Sequence, residues 1–192
     1  MPVFVCGPKD KAPKGAFVVN TTSRSTEEWS KALSPFFLGP VDLYQGHVSQ
    51  NVENAWQYAK VYSWQLQDPA NPFSDPSPEY FSWAKWGWEA KTAVRYPFGK
   101  DAKPVYSYWD GKKLTYTDAR KEIYVPLYKK AVQDTEAFKK LTDLCNKQDV
   151  WLWDFDGYNK DKLGFDYDDV INCPTKKMGH AFVLSGMIEG FI

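Results

Sequence analysis

Glu53, Gln57 and Lys60 stand at i, i+4 and i+7. In a helix that spacing puts an acid, an amide and an amine on one face. Trp56 and Tyr58 flank the stripe. Such a face suits a planar, polar ligand, and the same spacing also describes a solvated helix with an ion pair. A second acidic group, Asp154 and Asp156, closes the apolar run 150–155. If the run is extended, both carboxylates point to one side, and paired acids in unlike surroundings divide acid and base roles. Asp-x-Asp-Gly is equally the chemistry of a turn. A calcium loop of the EF-hand type is not expected, because the twelfth place counted from Asp154 is Phe165 where that loop requires Glu. Arg95, Lys100 and Lys103 form a third group, suited either to an anionic ligand or to a solvated loop. The phosphate-loop pattern G-x-x-x-x-G-K-[ST] is absent around Gly99-Lys100, so a nucleotide triphosphatase of that type is excluded.

These residues need elements to carry them. Two short strands, Val3–Cys6 and Ala16–Val19, are expected at the start, joined by a Pro/Lys/Gly turn. Thr21–Ser25 reads as a polar loop, and Ser25 or Thr26 as the cap of a short helix through Leu33. A small β element at Val41–Tyr44 and Val48 turns at Gln45-Gly46, and Ser49 or Asn51 caps a helix expected to carry Glu53 as far as about Leu66. Four prolines make 68–78 a loop, and a second helix runs from Pro78 or Glu79 to about Val94. Asp110-Gly111 between alternating segments is a strong hairpin signal. A helix from Asp118 to about Val132, capped by Thr117, should kink at Pro126. Thr135 caps the next helix, 136–147; 150–155 reads as a buried strand, the acidic stretch after it as a loop, and 178–188 as a closing helix.

The chain has 192 residues with 24 basic and 24 acidic side chains. That length suits one domain, 1–192, and the balance supplies no global drive toward nucleic acid or acidic membranes. Nine Trp, twelve Tyr and twelve Phe favour an aromatic core, a stacking site, or both. Cys6, Cys145 and Cys173 are odd in number and lack C-x-x-C spacing, which fits free thiols in a reducing cytosol. Two histidines, His47 and His180, are too few for a His-based metal site. No apolar run reaches membrane-spanning length. A cytoplasmic protein with no membrane association, no metal and no cofactor is expected.

The ordered set of motifs resembles the NADAR family, also called YbiA-like. Thr22–Ser25 is similar to its Ser-containing loop, and Leu33-Ser34-Pro35-Phe36-Phe37 to its F-S-N-F-like segment. Asn51-Val52-Glu53-Asn54-Ala55-Trp56-Gln57-Tyr58-Ala59-Lys60 is similar to its S/N-x-E-x-x-x-Q-x-x-K helix. Ala93-Val94-Arg95 with Gly99-Lys100 resembles its A-R-x-x-G-R piece, and Ala119–Lys147 its long helical pair. Leu152-Trp153-Asp154 resembles its L-V-E segment, and Lys177–Leu184 its closing helix. The family's W-G-x-G is replaced by Asp156-Gly157-Tyr158-Asn159.

The resemblance implies a mainly α (α+β) fold: a single helical domain with small antiparallel strand elements. It also implies hydrolysis of an N-glycosidic bond in an ADP-ribosylated or phosphoribosylated, guanine-like base, on a small molecule or a modified nucleic acid. In that chemistry the sugar develops oxocarbenium character. By the resemblance, Glu53 stabilises that charge or activates water, and Asp154 or Asp156 donates a proton to the leaving base. Lys60 binds phosphate or traps the opened sugar as an imine. Trp56 stacks on the base, and Arg24, Ser34, Gln57, Arg95 and Lys100 complete the ligand-binding set. The alternative is a catalytically inactive nucleotide- or partner-binding module on the same fold.

Overall fold

The computed structural model describes residues 2–192. Helices and three small sheets make an α+β chain. Over the 1–192 span it forms two compact units, Met1–Leu38 with Val125–Ile192, and Gly39–Tyr124. No helix among the described residues is long and apolar enough to cross a membrane.

The first unit is built on a three-stranded sheet in which Val150–Trp153 lies between Val3–Cys6 and Val18–Asn20. It is parallel to both, with Val3 opposite Val150 and Val18 opposite Trp151. This corrects the expectation of antiparallel strands only. A run as apolar as Val-Trp-Leu-Trp must be covered on both faces, which is the situation of a central parallel strand. Val150 and Leu152 are accordingly fully buried. The two N-terminal strands therefore pair with this strand and not with each other. Helix Glu136–Cys145 is capped by the Thr135 hydroxyl, which accepts from the Phe138 N–H. Helix His180–Glu189 is apolar all round and buried over most of its length, as expected for a helix in the middle of a core. The acidic stretch read as a loop contains a further helix, Tyr167–Asn172, opened by reciprocal bonds between Asp166 and Asp169.

The second unit holds the hairpin Val41–Asp42 with Val48–Ser49, and a three-stranded antiparallel sheet of Lys60–Val61, Tyr106–Trp109 and Lys112–Leu114. Its tight turn is the expected Asp110-Gly111, with φ of 46° and 83°. Positive φ at both central residues is what the two-residue hairpin turn demands. Helix Pro78–Glu89 opens with the Ser77 hydroxyl as cap and Pro at its first position, and it ends five residues short of Val94. The stretch expected as one kinked helix, 118–132, is divided into Tyr116–Ala119 and a π-turn Arg120–Tyr124, which belong to this unit, and Val125–Val132, which belongs to the first. Its cap is Thr115, not Thr117. Pro126 cannot donate to the preceding turn, and the wider π-turn lies directly before that segment.

Tyr58, Val61, Leu66, Tyr80, Ala84 and Trp88 form the core of this unit. Gly87 lets helix Pro78–Glu89 approach Tyr58, for a Cβ there would fall 2.0 Å from the Tyr58 ring. The ring is itself held by Trp83 at 4.6 Å between centroids. Gly87→Ala is expected to cost about 1–3 kcal/mol from overpacking, more than the gain of up to about 1 kcal/mol in helix propensity. Urea unfolding measures the balance, and an unchanged or raised midpoint would mean that the Tyr58 ring yields freely.

Candidate functional site

The helix Val52–Gln57 is set by Asn51, whose side-chain oxygen accepts from the Asn54 N–H at 2.8 Å. It is much shorter than the expected run to Leu66. Its end is fixed by groups distant in sequence. The Tyr80 hydroxyl reaches the carbonyls of Tyr58 and Ala59, each at 3.2 Å, and Tyr108 N–H donates to the Ala59 carbonyl at 2.7 Å. Those carbonyls would otherwise be orphaned at a helix C-terminus. Lys60 therefore lies on a strand, paired with Ser107, and not on the helix.

The three polar residues nevertheless meet. Gln57 Nε2 donates to Glu53 Oε1 at 2.9 Å, and Lys60 Nζ donates to Gln57 Oε1 at 2.7 Å. The Gln57 amide is thus oriented at both ends, its N–H toward the acid and its carbonyl toward the ammonium. Glu53 and Gln57 are buried, 6% and 5% exposed. Lys60 Nζ also lies 5.0 Å from the Trp56 ring centroid. Trp56 is half-buried, with Tyr124 at 5.2 Å and Tyr116 at 6.3 Å between centroids. The buried guanidinium of Arg120 sits 4.2 Å over the Tyr116 ring. Sequence reasoning missed Arg120; its signal is the i, i+4 spacing from Tyr116 in a helical segment.

Asn54 ties the following segment to this helix. Its amide donates to the Ala90 and Thr92 carbonyls at 3.0 Å each, and accepts from the Val94 N–H at 2.8 Å. Arg95 follows immediately, with its guanidinium 5.3 Å from the Tyr96 ring. Lys100 is exposed, next to Gly99 with φ of 90°.

The remaining expected residues belong to the first unit. Asp154 lies past the end of the strand, and the turn 154–157 replaces the extended geometry that would have aligned it with Asp156. Gly157 N–H donates to the Asp154 carbonyl at 3.1 Å, and Asp156 N–H to Asp154 Oδ1 at 3.0 Å. Asp154 Oδ2 accepts from the Ala181 N–H at 3.1 Å and stands 3.0 Å from His180 Nδ1. His180 Nε2 is 2.8 Å from the Thr21 carbonyl. A carbonyl and a carboxylate both accept, so each ring nitrogen faces an acceptor, an arrangement that favours a proton on both and an ion pair with Asp154. Burial alone would raise the Asp154 carboxyl. The His180 charge and hydrogen bond, with the N–H groups of Asp156 and Ala181, outweigh it and bring it down to about 2. Gly179 permits the approach, since a Cβ there would lie 2.2 Å from Asp154 Oδ2. Asp156 is half-buried, 3.7 Å from Lys177 Nζ. Arg24 is exposed, its guanidinium 5.2 Å from the Phe155 ring. Ser34 is buried in a turn, its hydroxyl accepting from the Phe36 N–H.

One unit thus gathers Glu53, Trp56, Gln57 and Lys60 and anchors the stretch before Arg95, while the other places Arg24 beside the Asp154–Asp156 turn. No family model, curated protein or solved structure matches the chain.

Proposed function

We propose that the chain is a NADAR-like N-glycosidase that hydrolyses an ADP-ribosylated or phosphoribosylated, guanine-like base. The observation that carries this reading is the hydrogen-bonded series Glu53–Gln57–Lys60 beside Trp56. Glu53 faces the anomeric carbon and stabilises the positive charge that develops as the bond to the base breaks, or takes the proton of the attacking water. Gln57 holds the carboxylate in one orientation, which limits the rearrangement needed on the way to the transition state. Lys60 supplies a point charge for a phosphate, and Trp56 offers a face for the base. Asp154 is not assigned to proton donation. A carboxyl held at about 2 carries no proton to give at neutral pH.

That same commitment of Asp154 favours a second reading, an inactive nucleotide- or partner-binding module. Incubation with ADP-ribosylated guanosine separates the two. Free ADP-ribose on chromatography supports the glycosidase, and a raised melting temperature without product supports the binder.

Lys60→Ala is expected to weaken binding of ADP-ribose about tenfold or more, while binding of the dephosphorylated nucleoside changes little, since a charge-assisted hydrogen bond contributes about 1.5–3 kcal/mol. Calorimetric titration of both ligands decides it. Equal losses for the two would remove Lys60 from the phosphate.

A further inference from the structure

A cavity of about 270 Å³ in the second unit shares no lining residue with the Glu53–Lys60 series. Phe81, Lys85 and Trp88 enter it from helix Pro78–Glu89, at i, i+4 and i+7 of one face. Tyr44 and His47 come from the turn between Val41–Asp42 and Val48–Ser49, and Tyr108 from strand Tyr106–Trp109. The frame is tied together by backbone and amide bonds. His47 N–H donates to the Tyr44 carbonyl at 3.1 Å, and Gln50 N–H to the Trp88 carbonyl at 2.8 Å, which joins this hairpin to the helix. Gln45 Nε2 donates to Asp110 Oδ1 at 2.9 Å and links the tips of the two hairpins.

The rings meet edge to face: Tyr44 stands at 85° to Trp88 and at 65° to Tyr108, and Phe81 at 85° to Tyr108. What the lining offers is hydrogen-bond donors. Trp88 is 2% exposed, and its indole N–H has no hydrogen-bond partner, a costly state for a buried donor. An indole nitrogen donates only, so whatever satisfies it must be an acceptor. Tyr44 and Tyr108 add two hydroxyls. Burial, with Tyr108 and Asp110 nearby, pushes the Tyr44 hydroxyl up, so it keeps its proton and can donate. Lys85 adds a positive charge at the rim, with Glu89 3.9 Å away and both side chains more than half exposed. Among the described residues no carboxylate lines the cavity.

We propose that this cavity binds a small carboxylate with a flat apolar body, its oxygens accepting from the Trp88 indole N–H and the Tyr44 hydroxyl. A carboxylate accepts at several lone pairs, and a bond to an ionised acceptor is the strong kind. A cation would meet donors and Lys85, and a purely apolar molecule would leave the Trp88 N–H unpaired. The volume limits the body to about one ring, below the usual range for larger ligands.

Benzoate, with benzamide as its neutral counterpart of the same shape, tests this on the full chain. In calorimetry benzoate is expected to bind saturably in the millimolar range, and benzamide about tenfold more weakly. Trp88→Phe keeps a flat ring and removes the donor, and Tyr44→Phe removes the hydroxyl; each should weaken benzoate about tenfold with circular dichroism unchanged. Nitrogen-15 spectra of the wild type give a readout that needs no variant to fold well: one indole N–H signal should shift downfield as benzoate saturates. No saturable binding of benzoate, equal binding of benzamide, unmoved indole signals at saturation or an unaffected Trp88→Phe variant would each overturn the proposal.

Discussion

Glu53→Gln is expected to lower turnover of ADP-ribosylated guanosine by about 10²–10⁴-fold, the range a positioned acid or base contributes. The loss should fall on kcat, because the charge at Glu53 matters most when the sugar is cationic. Structure should survive. Gln is a comparable helix former, and its side-chain oxygen can still accept from Gln57 Nε2, as Glu53 Oε1 does now at 2.9 Å. A melting temperature near that of the wild type, together with lost turnover, is the expected pair of results. Wild-type turnover in the variant would remove Glu53 from the chemistry.

Asp154→Asn is expected to cost about 1–3 kcal/mol, because it removes the carboxylate that accepts from the Ala181 N–H and faces buried His180 Nδ1. Against a typical total stability of about 5–15 kcal/mol, that is a large fraction of the whole. Urea unfolding at neutral pH measures it; a variant as stable as the wild type would contradict the ion pair. The same carboxylate gives a pH signature. Its folded value, about 2, lies below the ordinary 3.8. Its contribution is therefore fully present above about pH 4 and is lost as pH falls toward 2, about 2 kcal/mol across the window. Stability of the wild type should rise with pH between those limits, and the Asn variant should lose that part of the slope.

Local signals in the sequence carried the elements whose causes are local. Asp110-Gly111 announces its hairpin because both residues must take positive φ. Thr135 announces its helix by the cap it makes with Phe138, and Val150–Trp153 announces burial by its unbroken apolar run. Elements decided by distant partners were not legible. Nothing near Val3 or Val18 shows that residue 150 will come between them. The helix that carries Glu53 stops at Gln57 because Tyr80 and Tyr108 take the carbonyls beyond it. The site shows the same division. The spacing of Glu53, Gln57 and Lys60 marked residues that do meet, although Lys60 reaches Gln57 from a strand. His180 as partner of Asp154 had no such mark, since 26 positions separate them and only the fold joins them. Helix Tyr167–Asn172 was legible in principle through the Asp166-x-x-Asp169 spacing, an acidic form of the capping box.

The most direct test of the central claim is a crystal structure of the chain with ADP-ribose bound. A planar ring of the ligand stacked on Trp56, with a phosphate oxygen about 2.7–2.9 Å from Lys60 Nζ, is the expected result. Ligand bound elsewhere, with Trp56 and Lys60 untouched, would contradict it.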